Sequence, residues 1–181
     1  MSRLQTIDPS VATGKAKNLL DAVKAKLGLV PNMTKVMVNS PSVLEAYLGF
    51  SGALAGGHLD PKLREKLALV TAQQNHCEYC LSAHTAVAKM IGISQEQILA
   101  GRQGNGSDAK ENSALSFAKR MLDTKGQITE SDLVAVHAAG FSDGDIAEII
   151  AHIALNVFTN YFNTSTGVDI DFPKISYTDV K

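Results

Sequence analysis

Apolar residues recur every three to four positions along this chain, in blocks separated by Gly, Pro, Asn, Asp and Ser. Leu19, Leu20, Val23, Leu27 and Val30 follow helical spacing, and Gly28 with Pro31 closes the block, which predicts a helix over 16–29. Asn32 is placed to cap a short helix over 33–38, ended by Asn39-Ser40-Pro41. Ser42 then precedes a helix over 43–55 with Leu44, Tyr47, Leu48 and Leu54 facing inward, stopped by Gly56-Gly57. Asp60-Pro61 joins a capping side chain to a proline at the first helical position, a strong start for a helix to Gln74. Asn75 is expected to break that helix and cap the next, which runs to about Ile91. Ser94 with Gln97 three residues later forms a capping box for a helix to about Ala100.

The stretch 101–107, Gly-Arg-Gln-Gly-Asn-Gly-Ser, reads as a linker. No strand precedes it and no Gly-Lys-Ser/Thr follows, so it lacks the context of a phosphate-binding loop. Three more helices are expected over 108–123, 131–139 and 142–161, then a polar, turn-rich tail over 164–181 in which Asp171-Phe172-Pro173 is a candidate anchor. Residues 1–17 read as a polar arm. No segment has the two-residue alternation of a strand, so the expected fold class is all-α. The expected organisation is a single helical domain over 1–181 with two halves, 1–100 and 108–163, joined by the linker.

The halves echo each other. Glu65 is followed twelve residues later by Cys77-Glu78-Tyr79-Cys80, and Glu148 twelve residues later by Asn160-Tyr161-Phe162-Asn163. Each pair spans an apolar helical run and ends in a four-residue motif with an aromatic third. Gly167 stands where His84 would be. If this is a duplication, one copy carries chemistry and the other is structural.

Composition narrows the function classes. The chain has 181 residues, 45% hydrophobic and 19% charged, with a net charge of −1 and no run of like charge. That pattern argues against a nucleic-acid partner or an anionic membrane surface. The first nine residues lack the apolar core of a signal peptide, and no apolar run reaches the length of a bilayer span. A soluble, cytoplasmic protein is expected. In a reducing compartment two cysteines make a poor structural staple, and a Cys-x-x-Cys loop is too short for its closure to remove much unfolded-state entropy. Reactivity is the better reason for the pair.

On a helix, Cys77 and Cys80 are neighbours at i and i+3, and His84 follows Cys80 by four residues, so all three share one face. A helix N-terminus and a nearby imidazole both favour thiolate, the reactive form. Glu65 reaches that face only if its helix and the next run antiparallel, and there it would orient the imidazole. Other readings of the same residues stay open: Glu65 as a surface partner of Arg64 or Lys66, His84 as a core histidine, two inert buried cysteines, or half a zinc site with His84 as third ligand and His58, His76 or Glu65 as fourth. Tyr79 is as well suited to core packing as to hydrogen bonding. His58, His76, His137 and His152 have no spacing that singles them out.

Glu65 followed by Cys77-x-Tyr79-Cys80-x-x-x-His84 resembles the alkylhydroperoxidase D (AhpD)-like branch of the carboxymuconolactone decarboxylase family, in particular its peroxidase-related members. Val30-Pro31-Asn32-Met33, the segments 40–55 and 63–72, and Asn160-Tyr161-Phe162-Asn163 carry the likeness over about 25–175. The resemblance implies an all-helical fold, a homo-oligomer and a peroxidase that needs no cofactor or metal. It implies that Cys80 attacks a hydroperoxide, Cys77 resolves it to a disulfide, His84 serves as base and Glu65 joins the proton relay. It further implies a dithiol reductant, such as a lipoyl group on a protein. AhpD-type proteins carry a histidine between the cysteines, where this chain has Tyr79, a secondary candidate for the relay. The decarboxylase branch lacks the paired cysteines. Two other functions remain as alternatives: a decarboxylase-type enzyme acting on a small lactone acid through His84 or Glu65, and a non-catalytic helical oligomer that senses redox state.

Overall fold

The computed structural model describes residues 2–180. In order, its helices are α1 (Gly14–Leu27), α2 (Asn32–Met37), α3 (Pro41–Ala55), α4 (Pro61–Gln74), α5 (Glu78–Met90), α6 (Gln95–Arg102), α7 (Ala109–Thr124), α8 (Glu130–Ala138) and α9 (Asp143–Thr166), followed by a 3₁₀ turn at Tyr177–Asp179. Met1 and Lys181, the outermost residues of the expected arm and tail, lie outside the described residues. The described residues contain no strand, in agreement with the all-α expectation. None of their helices is long and apolar enough to cross a membrane.

Local chemistry accounts for most boundaries. Asp60 accepts the backbone N–H groups of Lys62 at 2.8 Å and Leu63 at 3.4 Å and starts α4. Capping boxes open α6 at Ser94–Gln97, α8 at Thr129–Asp132 and α9 at Ser142–Asp145. Each such cap contributes about 1 kcal/mol. Three expected caps move. Helix α3 begins at Pro41, whose fixed φ suits a first helical residue, with Ser40 rather than Ser42 before it. Asn32 lies inside α2 and its side chain donates to the Asp169 carbonyl. Asn75 ends α4, and Cys77 occupies the cap position of α5. Helix α9 continues five residues past the expected end, where the buried Asn163 finds partners in the core that outweigh its weak helix preference.

Two apolar clusters surround α4, and both depend on it. Leu63, Leu67 and Val70 pack with α7, α8 and α9, around Leu115, Val136 and Ile149. Leu69 and Ala72 pack on the other side with α1, α2, α3, α5 and α6. The division between cores therefore runs through α4 and not through 101–107. The first two residues of that stretch, Gly101 and Arg102, complete α6. Lys66, only 3% exposed, reaches from α4 to Glu111 at 2.7 Å and to Ser107 at 2.9 Å, which fixes the start of α7.

The segment after α9 is a strap. Val168 is buried in the first cluster, and Ile170, Phe172 and Ile175 pack against it. Asp171 accepts the Asn32 N–H at 2.7 Å. Ser176 donates to Glu78 at 2.7 Å, Ser82 accepts the Ile175 N–H at 2.9 Å, and Tyr177 stacks on His76 with ring centroids 4.5 Å apart. These contacts hold the strap against α2, the α4–α5 break and the first turns of α5.

Candidate active site

The site begins at the break between α4 and α5. His76 adopts φ 52, a left-handed conformation that reverses the chain within three residues and lays α5 back along α4. Cys77 then takes the cap position, where its sulfur accepts the Cys80 N–H at 3.4 Å. A sulfur performs here the work that an Asp or Ser oxygen does elsewhere. The two sulfurs stand 2.8 Å apart as free thiols, both nearly fully buried.

That contact governs their ionisation. A thiol proton held between two sulfurs stabilises the anion that remains, so the pair loses its first proton readily and its second with difficulty. The Cys77 thiol is pulled down to about 7, chiefly by the Cys80 hydrogen bond, against burial, with further help from the Cys80 N–H, Thr164 and the charge of His84. The Cys80 thiol is pushed well above its ordinary value by burial and then by Cys77, although Asn163 and Asn160 lean the other way.

Helix α9 supplies those amides. Asn163 donates to the Cys80 sulfur at 3.2 Å and to the Met33 thioether at 3.3 Å. Asn160 accepts from Asn75 at 3.0 Å across the α4–α5 break. Both asparagines of the sequence echo therefore bear on Cys80, which Asn163 mirrors.

The antiparallel course of α4 and α5 brings Glu65 and His84 together, with Glu65 Oε2 2.8 Å from His84 Nδ1. Burial alone would lower the imidazole pKa, but the charge and hydrogen bond of Glu65 outweigh it and raise it. Neighbours that sequence spacing offered to Glu65 are engaged elsewhere: Arg64 donates to the Leu54 and Ala55 carbonyls, and Lys66 binds Glu111. Among the described residues no group of three or more His, Cys, Asp or Glu is arranged to hold a metal ion. His58 and His137 lie apart from the sulfurs, on the loop before α4 and on α8.

Cys80, His84 and Glu65 line one cavity of about 390 Å3, whose other walls include Met33, Tyr47, Tyr79, Leu155 and Phe172. Cys77 does not line it. Tyr79 is buried, accepts the Met33 N–H at 3.2 Å, bonds to Asp171 and sets its ring edge-on to Phe172. Burial raises its phenol pKa far above neutrality. It is a wall that ties α2 and the strap to α5, with its hydroxyl occupied.

Sequence reasoning passed over a polar stripe on α9. His152, Asn156, Thr159 and Asn163 are all buried and all line the cavity. Their 4-3-4 spacing within an apolar helix was the available signal.

Residues 41–120 match the model of the carboxymuconolactone decarboxylase family. An uncharacterized protein of Haemophilus influenzae is 45% identical over 49 residues, which make up 26% of this chain and 43% of that protein's length. Two solved structures of uncharacterized peroxidase-related proteins share the fold. The one from Ralstonia eutropha JMP134, described as an alkylhydroperoxidase AhpD core, has a TM-score of 0.84 at 22% identity, covering 94% of this chain and 92% of its own. The one from Silicibacter sp. TM1040 has a TM-score of 0.81 at 26% identity, covering 92% and 88%. The debrominase Bmp8, solved with 2,3,4-tribromopyrrole, superimposes with a TM-score of 0.79 at 20% identity over 93% and 91%.

Proposed function

We propose, for a chain whose residues 41–120 match the model of the carboxymuconolactone decarboxylase family and which has the AhpD-like fold, a thiol-dependent hydroperoxidase activity. One observation carries the reading: a dithiol with its sulfurs 2.8 Å apart presents only Cys80 to a cavity that also holds the His84–Glu65 pair.

The roles follow from that asymmetry. Cys77, the thiol that ionises first, gives its proton to His84; the Cys80 proton then passes along the sulfur–sulfur contact to the Cys77 sulfur, which leaves the thiolate on the cavity side, where the Asn163 N–H favours it. The thiolate attacks the outer oxygen of R–O–O–H. An S–O bond forms, the O–O bond breaks, and the departing alkoxide takes a proton from His84 and leaves as an alcohol. Neutral His84 then accepts the Cys77 proton. The Cys77 thiolate attacks the sulfenic sulfur of Cys80, an S–S bond forms, and hydroxide leaves as water with the proton from His84. The dithiol has lost two electrons and the hydroperoxide has gained them. A dithiol of lipoyl type restores the pair by exchange. Assembly as a homo-oligomer belongs to the same proposal, supported by the exposed Phe50, Met90, Phe158 and Tyr161.

Turnover of an alkyl hydroperoxide with dihydrolipoamide, followed in wild type and Cys80→Ser, tests the assignment. The serine variant is expected to lose turnover, and retained turnover overturns the proposal. The lactone decarboxylase alternative predicts instead an activity that survives alkylation of both thiols.

A further inference from the structure

We propose that His152, with Arg64, forms a second polar pole in the cavity that selects hydroperoxides bearing a carboxylate at the end remote from the O–O bond. The inference rests on the hydroperoxidase reading for the identity of the reacting group, and on the cavity alone for the carboxylate.

The argument starts with an orphaned nitrogen. His152 is 6% exposed, lines the cavity, and its Nε2 has no hydrogen-bond partner. A buried ring nitrogen left without a partner costs about 1–3 kcal/mol, so a ligand that supplies the partner recovers that free energy on binding. The donors of the rest of the stripe are already engaged: Asn156 donates to the His152 carbonyl, Thr159 to the Asn156 carbonyl, and Asn163 to the Cys80 sulfur. Two atoms of the stripe have bonding capacity left over, Asn163 Oδ1 on the side chain that holds the Cys80 sulfur and His152 Nε2 far from it along α9.

Position and charge decide what it takes. Eleven residues separate His152 from Asn163, about 16 Å along the axis of α9, so the orphaned nitrogen and the reactive sulfur belong to opposite ends of the cavity. Between them the walls include Ala83, Val87 and Leu155. The groups that bear electrostatically on His152 are Arg64 and Glu65 from α4 and Glu148 one turn earlier on α9. Glu65 is bound to His84, and Glu148 accepts the His58 and Leu59 N–H groups. Arg64 lines the cavity with only its Nη1 bonded to the α3 carbonyls. Burial and Arg64 both disfavour a charge on His152, so the imidazole stays neutral and offers an N–H beside a guanidinium. That combination suits a carboxylate.

The probes are 8-hydroperoxyoctanoate and 1-octyl hydroperoxide, which differ only in the distal carboxylate. Wild type is expected to favour the acid by at least about tenfold in kcat/KM, the scale of a hydrogen bond to a charged group. In His152→Leu that ratio should fall to about one, whereas His152→Gln, which keeps an N–H donor, should retain part of it. Circular dichroism checks that both variants fold. Calorimetry of 8-hydroxyoctanoate against 1-octanol on the reduced enzyme reads the same preference without chemistry. Equal turnover and equal binding of each pair in wild type overturn the carboxylate pole and leave the hydroperoxidase standing. A binding preference that His152→Leu abolishes, with neither hydroperoxide turned over, supports the pole and removes the hydroperoxidase.

Discussion

Two stretches of this chain begin with a glutamate and reach a four-residue motif twelve residues later, yet they fold differently. From Glu65 the chain breaks at 75–77 and restarts as α5. From Glu148 it runs unbroken to Thr166 in α9. The break gives Cys77 a helix N-terminus and a backbone N–H from Cys80. The continuous helix has no free backbone donors at its middle and offers side-chain amides instead. One stretch therefore supplies the sulfurs and the other the hydrogen bonds that hold them. The same sequence rhythm yields a reactive element or its support according to whether the helix is interrupted.

The comparison can be broken at several points. The largest effect is expected from Cys77→Ser. The variant keeps a capping oxygen but cannot close the disulfide, so steady-state turnover should fall on the order of a hundredfold while one equivalent of hydroperoxide is still consumed in a rapid-mixing burst. Glu65→Gln comes next, with a loss of about tenfold to a hundredfold. Glu65 raises the His84 pKa, so its neutralisation should also move the alkaline limb of the pH–rate profile to lower pH. A profile that keeps its alkaline limb would separate Glu65 from the relay.

Asn163→Leu should act more mildly and bear directly on the two-helix division of labour. Thiolate forms as pH rises, so iodoacetamide labelling of wild type should increase with pH and map to Cys80, the sulfur on the cavity wall, through the proton it shares with Cys77. Removal of the Asn163 N–H withdraws support from the thiolate, and the midpoint should move upward. Labelling that favours Cys77 would reverse the roles of the two thiols. The smallest effect is expected from Ser176→Ala, which removes the strap's bond to Glu78. A chemical denaturation series should register a loss of about 1 kcal/mol.

Much of this arrangement was legible in the residues. Helical periodicity and the caps at Asp60, Ser94 and Ser142 place α4, α6 and α9, and the Glu65, Cys77, Cys80 and His84 spacing defines the reactive face. The cap of α5 was not legible. Asn75 has the better capping chemistry, but His76 turns left-handed and hands the position to a cysteine. The strap reads as a polar tail with a candidate anchor at Asp171-Phe172-Pro173, which the structure bears out; Ile175 was not legible, because it is an isolated apolar residue with no period and its partner lies about ninety residues away. Tyr79 lies within the motif, yet only the fold shows its hydroxyl spent on Met33 and Asp171. The stripe on α9 was visible as spacing but had no partner in the sequence to give it meaning.

The strap has a consequence for biosynthesis. Cys80 is separated from Asn163 by 83 positions, and the Ser82 contact to Ile175 spans 93. A ribosome delivers the cysteines first, so the growing chain carries an unclad dithiol until the residues that shelter it emerge. During that interval the thiols lack the amide support and the enclosed cavity of the finished protein. The order of synthesis thus exposes the most oxidisable pair in the chain before its cover exists, and completion of α9 and the strap is the step that turns two ordinary cysteines into a selective pair.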